Sequence, residues 1–431
     1  MNYFSLNDKS QHSNFENAVL SGLAPDRGLY FPQEIKKLPP SFFENFKAKS
    51  KFEIAFEVIK GYVGDEIPEA ELKKIIETTL DFEFPVVELT EDISVLELFH
   101  GPTLAFKDVG ARFMAGCLGY FIQRDNLGKI TVLVATSGDT GGAVANGFLG
   151  VEGIEVVILY PKGKVSLIQE KQLTTLGRNI TALEVDGVFD DCQEMVKQAF
   201  LDREIQEKRR LTSANSINVA RWLPQMFYYF LAYQQLMEKD EKLVFSVPSG
   251  NFGNICAGLL AREMGLPIDH FVAANNVNNV VERFLKTEKF EPRSSIQTLS
   301  NAMDVGNPSN FIRILELFQN KFGNLKEVLS GYSFDDSATK NAIAEMYEKT
   351  GYVMDPHGAV GYLGLKAFFK DNQGFHGTFL ETAHPVKFLE TVEAAIGKKI
   401  EIPAAIQAQM KKEKKSIQIK TYEELKTYLL S

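Results

Sequence analysis

From about Val86 onward the chain alternates short β-branched runs with amphipathic stretches, and no other feature limits its possible folds as strongly. Residues 95–98, 130–135, 155–160, 181–185, 243–247 and 271–274 read as strands. Helical patterns such as 167–176 and 190–203 lie between them. Strand, loop, helix, strand at this spacing predicts an α/β fold of mainly parallel sheets covered by helices. Such sheets take ligands beyond the carboxyl ends of their strands. Chemistry is therefore expected in loops that directly follow strands.

The first 85 residues carry a different signal. Ser13 with Glu16, Ser41 with Glu44 and Ser50 with Glu53 have the spacing of a capping box. Gly22 and Gly61 are placed to stop the first and last of these helices, and Pro68 to start another that carries Leu72, Ile75 and Ile76. This predicts a small helical N-terminal domain over residues 1–85, a core over 86–395 and a short helical tail over 396–431.

Composition narrows the class. The 431 residues are 45% hydrophobic and 24% charged, as in an ordinary globular protein. The net charge of −9 argues against a nucleic-acid partner, which would call for a basic footprint. The one basic run, residues 411–415, reads as a solvated face. No apolar run reaches the ~18–20 residues of a membrane span, and no basic flank precedes an apolar N-terminal segment, so neither a membrane nor a secretion signal is expected. Cys117, Cys192 and Cys256 are odd in number and widely spaced, which fits reduced thiols in a cytoplasmic protein and gives no metal pattern. No metal is expected.

Two glycine-rich loops follow strong strands. One is Ala135-Thr136-Ser137-Gly138-Asp139-Thr140-Gly141-Gly142, the other Pro248-Ser249-Gly250-Asn251-Phe252-Gly253-Asn254. Each runs into a helical stretch. Backbone N–H groups converging at a helix N-terminus make an anion site, although a single loop of this kind serves equally as a tight turn. Familiar alternatives are absent. No two glycines are separated by one residue, so G-x-G-x-x-G does not occur. There is no Walker A loop, no H-E-x-x-H and no G-x-S-x-G elbow.

The third feature is Lys107, in the first turn of a helix after the 95–98 strand. The helix dipole disfavours a cation there and lowers its proton affinity. A lysine that bonds covalently to a carbonyl compound needs such treatment, and a surface lysine that happens to open a helix is the alternative. The segment from Glu97 to Asp108, E-x5-T-L-A-F-K-D, resembles the pyridoxal-phosphate lysine motif of the serine/threonine dehydratase group. Its longer form, H-G-P-T-L-A-F-K-D-V-G, is similar to the threonine synthase family. The resemblance extends to residues 136–141, 249–254, 381–388 and the N-terminal Gly28-Leu29-Tyr30-Phe31-Pro32, and so runs from about residue 3 to about 390.

The resemblance implies a two-lobed fold type II pyridoxal 5'-phosphate enzyme, with a smaller lobe over roughly 107–214. It implies that Lys107 holds the cofactor and then acts as general base, with Phe106 beside it. It assigns the cofactor phosphate to Gly250, Asn251, Phe252, Gly253 and Asn254, the pyridine nitrogen to Thr382, and the ring oxygen region to Asp139. Asp139 stands where many relatives of the wider superfamily have Asn; it is either protonated or paired with a cation. The implied substrate is O-phosphohomoserine, converted with water to threonine and phosphate. Thr136, Ser137, Gly138 and Thr140 would receive its α-carboxylate. Ser216, Asn218 and Arg221 are the candidates for its phosphate, since Arg and Asn donors suit that group; Lys171 is a further one. His100, His357 and His384 read as structural, and Ser309 or Asn310 as a helix cap. The expected state is a monomer or homodimer that meets only small molecules. The competing readings are a threonine or serine dehydratase, a β-replacement enzyme, and a non-catalytic relative that binds the cofactor without turnover.

Overall fold

The computed structural model describes residues 1–431. Three short strands, β1 (Asn2–Ser5), β2 (His12–Asn14) and β3 (Tyr30–Pro32), pair antiparallel in the order β2-β1-β3. They are followed by β4 (Val86–Glu88), β5 (Ile93–Glu97), β6 (Ile130–Ala135), β7 (Ile154–Pro161), β8 (Ile180–Val185) and β9 (Arg210–Thr212). The remainder are β10 (Lys242–Pro248), β11 (His270–Asn275), β12 (Leu329–Ser333), β13 (Phe375–Glu381) and β14 (Ile417–Ile419). The larger sheet has the order β12-β11-β10-β13-β5-β4 and is parallel except for β4. The smaller sheet, β14-β8-β7-β6-β9, is parallel throughout. Strand β6, Ile-Thr-Val-Leu-Val-Ala, is buried along its whole length. A continuous apolar run of this kind belongs to a sheet covered on both faces.

The α/β reading from the sequence holds, with strand edges within a residue or two of expectation. The N-terminal helices are also present, with different ends. Asn14, not Ser13, caps the helix Phe15–Ser21 by accepting from the Asn17 N–H. The helix Pro40–Glu44 opens on proline and has no side-chain cap, so Ser41 does not serve as one. Ser50 and Glu53 form both halves of a capping box for the helix Lys51–Val63. That helix runs past Gly61 and ends at Gly64, which takes φ 66°. The β2-β1-β3 sheet was not expected: its strands are too short to show alternation. Phe46, Ile54 and Ile59 of this N-terminal region share one apolar core with Phe113, Trp222 and Phe230. Each such aromatic or aliphatic side chain contributes roughly 1.5–3 kcal/mol when buried.

The C-terminal segment does more than the helical tail predicted for it. Its strand β14 pairs with β8 from Ile417↔Leu183 to Ile419↔Val185, and Leu425 and Leu429 pack with Leu183 and Val185. Within the larger sheet β5 and β13 are neighbours, with Glu97 opposite Glu381, and β10 lies on the other side of β13. The segments that follow β5, β13 and β10 therefore leave the sheet side by side. They carry Lys107, Thr382 and the 250–254 loop.

Candidate active site

Lys107 opens the helix Lys107–Asp125. The turn before it is tied to the turn after β13. Phe106 N–H donates to Thr382 O at 2.9 Å, and His384 N–H to Leu104 O at 3.0 Å. The Tyr228 hydroxyl donates to Phe106 O. The Phe106 ring lies 5.6 Å from the Lys107 ammonium and packs edge-on to Tyr228. Removal from water brings the Lys107 amine down to about 8; Asp139 opposes the change, and the cations of Lys387 and Arg221 add to it. Lys107 is thus a candidate base and nucleophile at neutral pH.

The 250–254 loop follows β10. Phe252 takes the left-handed conformation (φ 61°) as it enters the helix Gly253–Glu263, and its ring is buried against Phe311. Gly250 is required here: a Cβ would lie 2.7 Å from Ala302 O and Met303 Cα. The Asn254 side chain donates to Pro248 O at 2.8 Å and accepts from Ile255 N–H at 2.9 Å. The N–H groups of Gly250, Asn251, Phe252, Gly253 and Asn254 donate to no protein acceptor. Five successive free N–H groups at a helix start form a nest for a dianion. Asn251 is fixed by its side-chain bond to Ser216 Oγ at 2.6 Å, and its Oδ1 accepts from Ser309 N–H at 2.6 Å.

The other loop follows β6. Gly138 takes φ 139°, and a Cβ there would lie 2.5 Å from the Gln169 amide carbon. The Thr136 hydroxyl accepts from Gly138 N–H at 2.9 Å and Gly141 N–H at 2.8 Å. Thr136 therefore shapes the loop from within. Ser137 and Thr140 are half-exposed, and the N–H groups of Ser137, Asp139 and Thr140 have no protein acceptor. The fittest anion donors of this loop are those residues.

Asp139 opens the helix Asp139–Gly147 and is nearly buried. Its partner is Lys387, whose ammonium lies 2.6 Å from Asp139 Oδ1 and whose side chain is fully buried. Gln169 donates to the same oxygen at 3.0 Å. Burial alone would push this carboxyl up; the cations of Lys387 and Lys107 overcome that and hold it below the usual carboxylate range. Of the two alternatives for Asp139, the structure has the cation-paired one.

Arg221 is buried, one terminal guanidinium nitrogen donating to Ala214 O, and its Nε has no partner. Burial pushes its guanidinium down to about 10. A buried, partly unpartnered guanidinium beside Lys107 is suited to an anionic ligand group. Two other expected anion ligands are not available. Asn218 is the N-cap of the helix Val219–Trp222, accepting from Ala220 N–H at 3.0 Å and donating to Val19 O at 2.9 Å. Lys171 points to the C-terminal segment, donating to Lys412 O at 2.6 Å. Ser216 stands against the 250–254 loop rather than in a separate pocket.

Several residues escaped sequence reasoning. Lys387 sits inside the apolar Pro385-Val386-Lys387-Phe388, and a lone lysine in such a run was a usable signal. Asp355 accepts from the His357 N–H and ring Nδ1, both at 2.6 Å, and from Ala383 N–H at 3.3 Å, next to Thr382. His357 Nε2 accepts from Ala302 N–H at 3.2 Å, behind Gly250. Asn310, one of the two expected caps, is the N-cap residue of the helix Phe311–Leu317; its side chain makes no cap bond, and its amide donates to Asn251 O at 3.1 Å.

A family model described as pyridoxal-phosphate dependent enzyme matches residues 82–375. Two others, described as threonine synthase N terminus and threonine synthase, C-terminal, match residues 2–80 and 358–429. A threonine synthase of Serratia marcescens is 44% identical over 407 residues, 94% of this chain and 93% of that protein. The crystal structure of threonine synthase from Escherichia coli superposes with a TM-score of 0.93 at 42% identity, covering 100% of this chain and 99% of the other. The structure of PLP-bound threonine synthase from Brucella melitensis gives a TM-score of 0.92 at 34% identity, covering 100% and 98%.

Proposed function

The chain belongs to the threonine synthase family of pyridoxal-phosphate-dependent enzymes, and from that premise we propose which of its residues carry the reaction. Its activity is that of a threonine synthase with pyridoxal phosphate as cofactor. The residues present fit that group. Five free N–H groups of Gly250–Asn254 suit its dianionic phosphate, and a half-buried amine of lowered proton affinity, Lys107, suits its aldehyde. We assign the pyridine nitrogen to the hydroxyl of Thr382, the residue that directly follows β13. When bound, pyridoxal phosphate supplies an electron sink for charge developing next to the substrate nitrogen.

The protein's own residues do the rest. O-phosphohomoserine is the substrate this reading assigns, with water, giving threonine and phosphate. Ser137, Thr140 and the free N–H groups beside them receive the α-carboxylate and orient Cα toward Lys107. The Lys107 Nζ takes the Cα proton; a Cβ proton is lost next, and its electron pair forms the Cβ–Cγ double bond as the Cγ–O bond to phosphate breaks. Arg221 Nε and its neighbouring guanidinium nitrogens hold the phosphate that leaves Cγ. The two sheets mark two lobes, and their junction excludes water while Cγ is protonated and until water is admitted to Cβ.

The single observation that carries the reading is the position of Lys107, in the turn zipped to Thr382 and facing Asp139, Lys387 and Arg221. Arg221 favours a phosphorylated substrate over the dehydratase and β-replacement readings, which require no second phosphate pocket. No helix is long and apolar enough to cross a membrane; the three buried, unpaired cysteines support a cytoplasmic setting. Borohydride reduction of the holoenzyme followed by peptide mapping should place the cofactor on Lys107, and phosphate should be released from O-phosphohomoserine while threonine and serine are not deaminated. A tag on another residue, or turnover of serine in preference, overturns the reading.

A further inference from the structure

A lysine side chain with no exposure at all is costly unless paired. Lys387 meets that requirement with two partners from different parts of the fold. Its ammonium bonds Asp139 at 2.6 Å and Thr103 O at 2.9 Å. Lys387 follows β13 of the larger sheet, Thr103 belongs to the turn before Lys107, and Asp139 follows β6 of the smaller sheet. Two glutamines of the helix Leu167–Thr174 complete the junction: Gln169 donates to Asp139 at 3.0 Å and Gln172 to Thr103 O at 3.0 Å. The pair thus joins the two lobes directly in front of Lys107. The charged groups that face Lys107 are Asp139, Lys387 and Arg221; those that face Lys387 also include Asp108 and His384.

We propose that Lys387 is a positioning residue whose ammonium holds the Asp139 carboxylate aligned across the lobe junction, so that the ion pair, as one unit, sets the proton affinity at the Lys107 nitrogen. The proposal rests on Lys107 being the cofactor lysine. The signs follow from Coulomb's law. Asp139 without its partner stabilises a proton on the Lys107 nitrogen; Lys387 without its partner repels one. With both present the two effects largely offset.

The test is a pH titration of the holoenzyme, following the visible absorbance of the lysine-bound cofactor, which reports the proton at the Lys107 nitrogen. Lys387→Met should raise the midpoint by about 1 pH unit and Asp139→Asn should lower it by about as much, the size expected for one nearby charge. The double variant should return close to the wild-type midpoint, and Lys387→Arg should stay there. An unmoved midpoint in Lys387→Met, single variants moving in the same direction, or a double variant as displaced as Lys387→Met overturns the proposal. Should Lys387→Met not fold, the same change made in the Asp139→Asn background decides: it must move the midpoint upward, and no move or a further fall is a refutation. Wild-type protein that lacks the borohydride tag on Lys107 refutes the cofactor-lysine reading itself; tagged protein with unmoved midpoints refutes only the role of Lys387.

Discussion

Two arginines of this chain suffer the same burial and are treated in opposite ways. Arg313 and Arg221 are both removed from water, and burial pushes each guanidinium down to about 10. Around Arg313 every nitrogen is used. Its Nε and Nη2 donate to Tyr30 O at 3.2 and 3.0 Å, Nη2 donates also to Ile217 O at 2.6 Å, and Nη1 to the Asn310 side chain at 2.7 Å. Its plane lies 4.4 Å from the Trp222 ring centre. Arg313 is a rivet between the N-terminal strand β3, the 216–217 turn and the helix that adjoins the 250–254 loop. Arg221 donates to Ala214 O, and its Nε is left with no partner in the protein. An equal desolvation cost with fewer bonds in return is what the ligand-binding role proposed for Arg221 calls for.

The contrast is open to direct attack. Arg313→Met should cost about 3–5 kcal/mol of stability, because it strands several buried carbonyls, and a denaturant melt would register it. Arg221→Met should leave that melt unchanged or shift it to higher stability. It should lower kcat/KM for O-phosphohomoserine by about 10–100-fold, the loss of charge-assisted bonds worth roughly 1.5–3 kcal/mol. A reversed pattern, with Arg221 the stability residue, would dissolve the distinction.

Asn218→Ala sharpens it one step further out. Loss of a cap and an internal bond should cost about 1 kcal/mol in the melt and leave KM near the wild-type value; a large rise in KM would return Asn218 to the substrate. Ser216→Ala should weaken cofactor retention by a comparable amount, measured by dialysis against free cofactor, because Asn251 loses its anchor.

The smallest effect concerns buried bases kept neutral rather than buried cations kept charged. Burial lowers His270 and His384 from 6.5 to about 4. The unfolded chain takes up these protons below about pH 6.5 while the folded chain does not. Stability present above pH 6.5 should therefore be lost as pH falls toward 4. Thermal midpoints across that range should decline, and less steeply in His384→Asn.

Much of this site was readable in the chain before any coordinates. The two loops directly follow strands with strong apolar runs, which local periodicity exposes, and Lys107 opens the helix after the 95–98 strand; Thr382 came only from the resemblance, because Phe375–Glu381 shows no such run. What escaped reading depends on contacts across long separations. Asn218 and Arg221 are three residues apart and look alike as phosphate donors, but one spends its amide on Val19 O and the other keeps a free nitrogen. Asp139 and Lys387 are likewise distant in sequence, and nothing near either one announces the other.

The residues alone determined the alternation of strands and helices, the glycines where backbone must come close, and the lysine at a helix start, because each follows from short-range sterics and hydrogen bonding. Folding in three dimensions decided which polar side chains are satisfied by the protein and which remain available. That division rests on the geometry of desolvated groups brought together from separate lobes, and no local pattern encodes it.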